Sequence, residues 1–303
     1  AKIREVENKA GRGVNFGNYN DDDYLDIYVS NYRLCENFLW HNNGDLTFEN
    51  KAHYLGIAGE EREGYYGHTI GSEWGDFDND GDLDLITANL AHPRFIQFSN
   101  RTMLYKNQGK PNYQFLEVRR KAKIKYEETH SDPAFGDVDN DGDLDLYLTS
   151  VYENRRSFLY LNNGKGVFED VTYLAGVRVF NGWGCAFADF DNDGDLDLIV
   201  GSGSGVRFFR NDTKNGNNYL KVKMIGKKSN RNGIGARVKI NIGKKILLRE
   251  VTCGKGTTSQ SSIILHFGLG KKKKVNLNYH FLSKEEKTLK NIKANQLIII
   301  EEE

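Results

Sequence analysis

The residues with the clearest capacity for chemistry are aspartates. They come in three nearly identical blocks, GDFDNDGDLDL at 75–85, GDVDNDGDLDL at 136–146 and ADFDNDGDLDL at 188–198. Each block reads D-x-D-x-D-G-x-x-D. Alternate carboxylates on a tightly turned loop can converge on one point, and glycine at the sixth position supplies the positive-φ turn this needs. A hard cation that takes about six to eight oxygens is the species such a loop would hold, which points to Ca2+. The expected side-chain ligands are Asp76, Asp78, Asp80 and Asp84, with the backbone carbonyl of Asp82. The equivalents are Asp137, Asp139, Asp141 and Asp145 with Asp143, then Asp189, Asp191, Asp193 and Asp197 with Asp195. Without a counter-ion, close carboxylates repel by roughly 1 kcal/mol per pair at 4 Å even in bulk water, which disfavours a merely solvated acidic turn.

A fourth block, GNYNDDDYLDI at 17–27, is degenerate. Asn18, Asn20, Asp22 and Asp26 stand at the ligand positions, and Asp23 replaces the glycine. With two carboxylates turned into amides, cation binding there should be weak or absent. An EF-hand begins the same way but needs a bidentate Glu at position twelve. Thr87, Leu148 and Val200 stand there instead, and the flanking segments alternate as strands.

The elements that must position these loops repeat with them. Taking Asn18, Asp76, Asp137 and Asp189 as equivalent, the periods are 58, 61 and 52 residues, the size of one supersecondary unit. An apolar residue stands two before each first ligand position (Phe16, Trp74, Phe135, Phe187). Each loop runs into an alternating strand (LDIYVSN, LDLITAN, LDLYLTS, LDLIVGS), then an aromatic strand with a polar turn (FLWHNNG, MLYKNQG, FLYLNNG, RFFRNDT). A further strand follows in the first three units (LTFENKA, YQFLEVRRKA, GVFEDVTYLAG). Four short strands per unit is the content of a propeller blade. The expected fold is therefore all-β: a β-propeller over 1–215 with four visible blades, followed by a small β-sandwich or barrel-like domain over 216–303. The opening segment AKIREVENKAG resembles the strand missing from the fourth unit, so it would close the ring and remove two sheet edges. A tail of a longer propeller, cut in mid-blade, fits the same pattern. The chain starts at Ala1 rather than Met, as it would after loss of an N-terminal segment.

Loop, flanking strands and period together resemble the FG-GAP/VCBS repeats of integrin-like propellers over residues 1 to about 215. The stretch beyond resembles an ASPIC/UnbV domain, through NNYLKVKMIGKKSNRNGIGARVKI at 217–240, REVTCGKGTTSQSS at 249–262, ILHFGLGK at 264–271 and ANQLIIIEE at 294–302. The resemblance implies an exported binding or scaffolding protein and transfers no catalytic activity.

Formal net charge is zero, but the average conceals an asymmetry. From Tyr219 onward 19 Lys and Arg stand against 6 Glu, a balance of +13 that mirrors −13 in residues 1–218. The basic part could therefore dock on an acidic surface, its own propeller included. The run Lys271–Lys274 lacks the interleaved aromatics of a nucleic-acid patch and reads as a solvated turn. No apolar stretch is long enough to cross a bilayer as a helix. The three cysteines are too few and too scattered for a disulfide framework; Cys185 reads as a buried thiol, and the pairing of Cys35 and Cys253 stays open.

Trp74 aligns with Phe16, Phe135 and Phe187, and Trp40 with Tyr105, Tyr160 and Phe209, so both read as core. Trp183 has no aromatic counterpart and is expected at the surface, where it could contact a glycan. His68 and His130 precede the innermost strands and are candidates for the mouth of a central channel, with surface histidines as the plainer reading. No nucleophile elbow, HExxH, phosphate loop or dinucleotide fingerprint is present, and GSGSG at 201–205 reads as a turn. The function expected is a non-catalytic calcium-binding module for a protein partner or larger complex, outside the cytoplasm. A lectin-like module is the alternative, and a calcium-dependent polysaccharide lyase or hydrolase the third.

Overall fold

The computed structural model describes residues 9–91, 99–256 and 259–303. The closing strand expected from the N-terminal segment falls largely on residues 1–8, outside the described residues. Along the chain, each acidic loop turns one strand back on the next and builds an antiparallel meander. The first sheet takes β1 (Ala10–Gly17), β2 (Asp26–Tyr32), β3 (Phe38–Asn42) and β4 (Phe48–Asn50) in that order. The second takes β5 (Thr69–Gly75), β6 (Asp84–Asn89), β7 (Met103–Asn107) and β8 (Phe115–Glu117). The third takes β9 (His130–Gly136), β10 (Asp145–Ser150), β11 (Phe158–Asn162) and β12 (Phe168–Asp170). The fourth has three strands, β13 (Gly182–Ala188), β14 (Asp197–Ser202) and β15 (Gly205–Phe209). The chain is all-β in character, and the strands flanking the acidic loops are the ones the alternation predicted.

Successive sheets pack face to face through their first strands, β1 on β5, β5 on β9 and β9 on β13. The apolar residue two before each loop makes this possible. Trp74 lies over Gly17, Phe135 over Gly75 and Phe187 over Gly136, so close that a Cβ on the glycine would stand 2.7–2.8 Å from the ring. Here the glycines are required by space, because the ring of one sheet occupies the place of the side chain of the last. Burial follows from position in the row. β6 and β10 are buried at every residue because neighbours cover both faces, whereas β2 alternates. β15 is exposed at four of its five residues, unlike its counterparts β7 and β11.

From Asn218 the texture changes. β16 (Asn218–Ile225), β19 (Leu265–Gly270) and β22 (Leu297–Glu301) form one sheet, with β16 antiparallel to β19 and parallel to β22. β17 (Arg237–Ile242), β18 (Lys245–Glu250), β20 (Lys274–His280) and β21 (Glu286–Lys293) form another, in the order β18-β17-β20-β21. Their buried faces share a core of Leu220, Val222, Val238, Ile240, Leu247, Phe267 and Phe281.

This second unit covers the acidic loops of the first. Leu248 belongs to the core of the first two sheets. The segment 252–262, of which 257 and 258 lie outside the described residues, crosses the first strands: Gly256 N–H donates to Ser72 O (3.2 Å) and Ser262 N–H to Phe187 O (3.3 Å). Lys255, fully buried, donates to Pro133 O (2.5 Å) and stands 3.6 Å from the Asp132 carboxylate. Burial opposes its charge, yet Asp132 holds the ammonium above the ordinary lysine range. Glu73 lies in the same buried group; burial raises its carboxyl to about 7, against the pull of Lys255.

Candidate metal centres

Each loop closes on its own backbone in the same way. In the second unit Asp76 Oδ1 accepts the Asp80 N–H (3.1 Å), and its Oδ2 accepts those of Gly81 (3.2 Å) and Leu248 (3.3 Å). Asp84 accepts the N–H groups of Phe77 (3.1 Å) and Asn107 (2.8 Å). In the third unit Asp137 accepts from Asp141 (3.1 Å), Gly142 (2.9 Å) and Gly268 (2.9 Å), and Asp145 from Val138 and Asn162 (2.9 Å each). In the fourth, Asp189 accepts from Gly194 (3.1 Å), and Asp197 from Phe190 (2.9 Å) and Asn211 (2.8 Å). The sixth-position glycines sit at φ values of 95° (Gly81), 100° (Gly142) and 99° (Gly194), a conformation that costs glycine no steric strain.

Carboxylate oxygens of Asp76, Asp78 and Asp84 are thereby brought within 4.8 Å of one another, as are those of Asp137, Asp139, Asp145 and of Asp189, Asp191, Asp197. Asp78 Oδ1 and Asp189 Oδ1 are buried with no hydrogen-bond partner among the described residues. Burial raises the carboxyls of Asp76 to about 8 and Asp137 to about 7, and those of Asp84 and Asp145 well above the usual range. Buried anionic groups of this kind are paired or coordinate a metal. The donor set, oxygen only and rich in carboxylate, fits Ca2+. The sequence-expected residues Asp80, Asp82, Asp141, Asp143, Asp193 and Asp195 lie on the same loops but outside these three tight groups.

The four loops differ in how far the protein supplies its own cation. In the degenerate loop Arg237 donates to the Asn18 carbonyl and pairs with Asp21 and Glu250, while His280 lies 2.7 Å from Asp23. Asp26 instead bonds His41 (3.0 Å) and the Asn42 N–H (2.9 Å), and Asn20 donates to Asp22 (2.7 Å). In the second loop Lys106 reaches Asp78 and, at 2.8 Å, Asp80. In the fourth Lys221 is 2.5 Å from Asp189. In the third Lys245 pairs with Asp143 at 2.5 Å, outside the tight group, and the buried Arg249 donates to the Gly142 carbonyl (3.5 Å).

A set of asparagines holds the loops in register with each other. Asn107 donates to Leu83 O (3.1 Å) in its own unit and to Tyr19 O (2.9 Å) in the preceding one. Asn162 does the same with Leu144 (3.0 Å) and Phe77 (2.6 Å), and Asn211 with Leu196 (3.2 Å) and Val138 (2.7 Å). Their signal in the sequence is the asparagine shared by HNNG, KNQG, LNNG and RNDT. Leu248 and Gly268, which contribute backbone N–H groups, carry no such signal.

Trp74 and Trp40 are buried and Trp183 is 52% exposed. His68 and His130 are both buried rather than at the surface. His130 bonds Thr102 Oγ1 (2.7 Å) and stands edge-on to Phe158, and His68 Nδ1 accepts the Arg33 N–H (3.1 Å). The sequence candidates His68, His130 and Trp183 are not brought together with the aspartate groups. Cys35, Cys185 and Cys253 are all free.

Fold and site together define a repeat protein of antiparallel units, each with an aspartate loop at its edge, covered by a second β unit. The chain belongs to the proteins that carry FG-GAP-like repeats, matched at residues 12–87 and 137–200, together with an ASPIC and UnbV domain, matched at 226–303. It is similar to cartilage acidic protein 1 of Homo sapiens, at 26% identity over 284 residues. That of Xenopus tropicalis is 27% identical over 275 residues. The match covers 86% of this chain but 39% and 40% of those proteins, so the chain spans about two fifths of the length of the curated relatives it matches. Among solved structures, one of an Agrocybe aegerita lectin, described for its specific recognition of non-reducing terminal N-acetylglucosamine, is 18% identical with a TM-score of 0.35. It covers 66% of this chain and 53% of that one.

Proposed function

We propose that the chain is a non-catalytic, calcium-binding assembly module that works outside the cytoplasm and engages a protein partner or larger complex. On this reading residues 1–215 are propeller blades and 216–303 a separate β domain seated on them. The observation that carries it is the placement of the three aspartate groups at the junction of the two parts, where Leu248 and Gly268 of the second unit bond Asp76 and Asp137 of the first. Ions held there act on rigidity and assembly rather than on an exposed substrate. A site with a dissociation constant near ~10 μM would gain about 2.7 kcal/mol at millimolar calcium. Cytosolic calcium could not load it, which supports export.

The test is a pull-down from the native extract in parallel with millimolar calcium and with EGTA, read by mass spectrometry. A stoichiometric protein partner retained only with calcium supports the reading, and no partner in either condition sinks it. A second reading, a lectin-like module, is favoured by the exposed side chains of Trp183, Phe190 and Phe208 on and beside the fourth sheet. Glycan-array binding lost in Trp183→Ala would select it.

A further inference from the structure

The second unit spends its acidic residues at one end. Glu250 is buried against Arg237, Glu285 and Glu303 pair with Lys287, and Glu301 pairs with Lys227. Glu302 accepts the N–H groups of Lys227 and Lys228, and Glu286 stands opposite His280. Those are all six glutamates of the unit, and it has no aspartate. At the other end Lys244, Lys272, Lys273, Lys274, Lys290 and Lys293 are exposed, and none forms an ion pair among the described residues.

Strand register then brings these charges together. The turn after β19 carries Lys271–Lys274, and β20 pairs with β21 so that Lys274 lies directly opposite Lys293. Like charges at facing positions weaken a sheet. A bulge between Val275 and Leu277 places Asn291 at φ 58°, where its N–H donates to Asn276 Oδ1 (2.8 Å). With Oδ1 so engaged, the Asn276 N–H2 has no hydrogen-bond acceptor among the described residues. Beside it runs a groove of about 260 Å³ lined by Asn241, Gly243, Lys272, Lys274, Asn276 and Asn291. Ammonium and amide donors converge there, and no carboxylate lines it.

We propose that this groove binds an anionic polysaccharide bearing repeated sulfate or carboxylate groups. Lys293, facing Lys274, and the exposed Lys290 and Lys273 extend the positive charge beyond the groove, so it reaches past one anion and suits a polymer. No aromatic side chain lines the groove for bases to stack on, which disfavours single-stranded nucleic acid. Its two aliphatic lining residues, Ile242 and Val275, are not exposed, so it offers nothing to insert into a membrane. The groove uses other residues than the aspartate groups, but its turns border the third loop, where the Gly270 N–H donates to Asn140 O (2.9 Å) and Lys245 pairs with Asp143, so the titration holds calcium constant.

The experiment is titration of the whole chain, in calcium, with a labelled heparin octasaccharide. The same oligosaccharide after desulfation, a single-stranded DNA of equal charge and phosphatidylserine vesicles are run alongside. Saturable binding to the sulfated probe, weakened about tenfold in Lys272→Glu/Lys274→Glu and little in the charge-matched control Lys228→Glu/Arg231→Glu, supports the site. Asn276→Leu, which keeps net charge, should weaken it several-fold. Absence of saturable binding, an equal loss in the control pair, or equally tight binding of DNA or vesicles overturns the assignment.

Discussion

Lys106 separates the second acidic loop from the third. Its ammonium occupies the mouth of the Asp76, Asp78, Asp84 group, where Leu161 stands at the corresponding place on β11. A divalent ion would have to displace that ammonium before binding, so the third loop should be the tighter site. Lys106→Leu should raise affinity at the second loop by about tenfold, the order of one opposed charge at partial exposure. Calorimetric titration would check this, and an unchanged or lower affinity would count against the displacement. His130 makes a second case at this scale. Burial, helped by Arg119, lowers its imidazole to about 3, so the folded protein keeps it neutral. Stability from this group is present above the unfolded pKa near 6.5 and is lost as pH falls toward 3. Glu73, raised to about 7, has the opposite sign and is lost as pH rises. Between pH 7 and 5.5 the natural chain should therefore lose about 1 kcal/mol more than His130→Gln. Urea unfolding of both at the two pH values would show parallel losses if His130 has no such role.

At the scale of the element, the glycine before each acidic loop decides how sheets stack. Gly136 has no room for a Cβ, since the Phe187 ring stands 2.7 Å from where it would lie. Gly136→Ala should cost about 1–3 kcal/mol, the usual cost of overpacking. Ala188 holds the corresponding place in the fourth sheet, so Ala188→Gly should cost only the roughly 0.5–1 kcal/mol of added backbone freedom. Thermal unfolding of both variants checks the pair, and a Gly136→Ala protein with unchanged Tm would remove the ring as the reason for the glycine. Much of this level was legible in the sequence. Period-2 alternation and the recurring aspartates marked the strands and loops, and the aligned Trp74, Phe135 and Phe187 marked the core, while Phe16 of the first unit is only half-buried. His68 and His130 were misplaced because sequence shows one strand at a time, while neighbouring sheets cover both of its faces. The bonds from Leu248 and Gly268 were illegible for a different reason. A backbone N–H leaves no trace in residue type, and these cross 172 and 131 residues of chain.

At the scale of the molecule, opposite charges meet where the second unit covers the loops. A charge of −13 faces +13, and three calcium ions would bring the first to −7. Such ions would therefore weaken the long-range attraction between the parts, yet they would also fix the carboxylates that the second unit bonds. The local effect should dominate. Long-range terms are screened beyond about 8 Å at physiological salt, whereas Asp76 and Asp137 are fully buried at the contact. Arg249 is buried between the same two loops, and burial pulls its guanidinium below the ordinary range despite Asp137 and Asp76. Loops that lose their ions would leave those carboxylates to repel one another and loosen the seat of Leu248 and Gly268. With each of three sites contributing about 2.7 kcal/mol at a hundredfold excess over its dissociation constant, chelation should lower Tm by on the order of 10 °C. It should also split one calorimetric transition into two, because the repeats and the second unit each keep a core of their own. A single transition displaced by less than a degree in EGTA would show that the aspartate groups do not hold the two parts together.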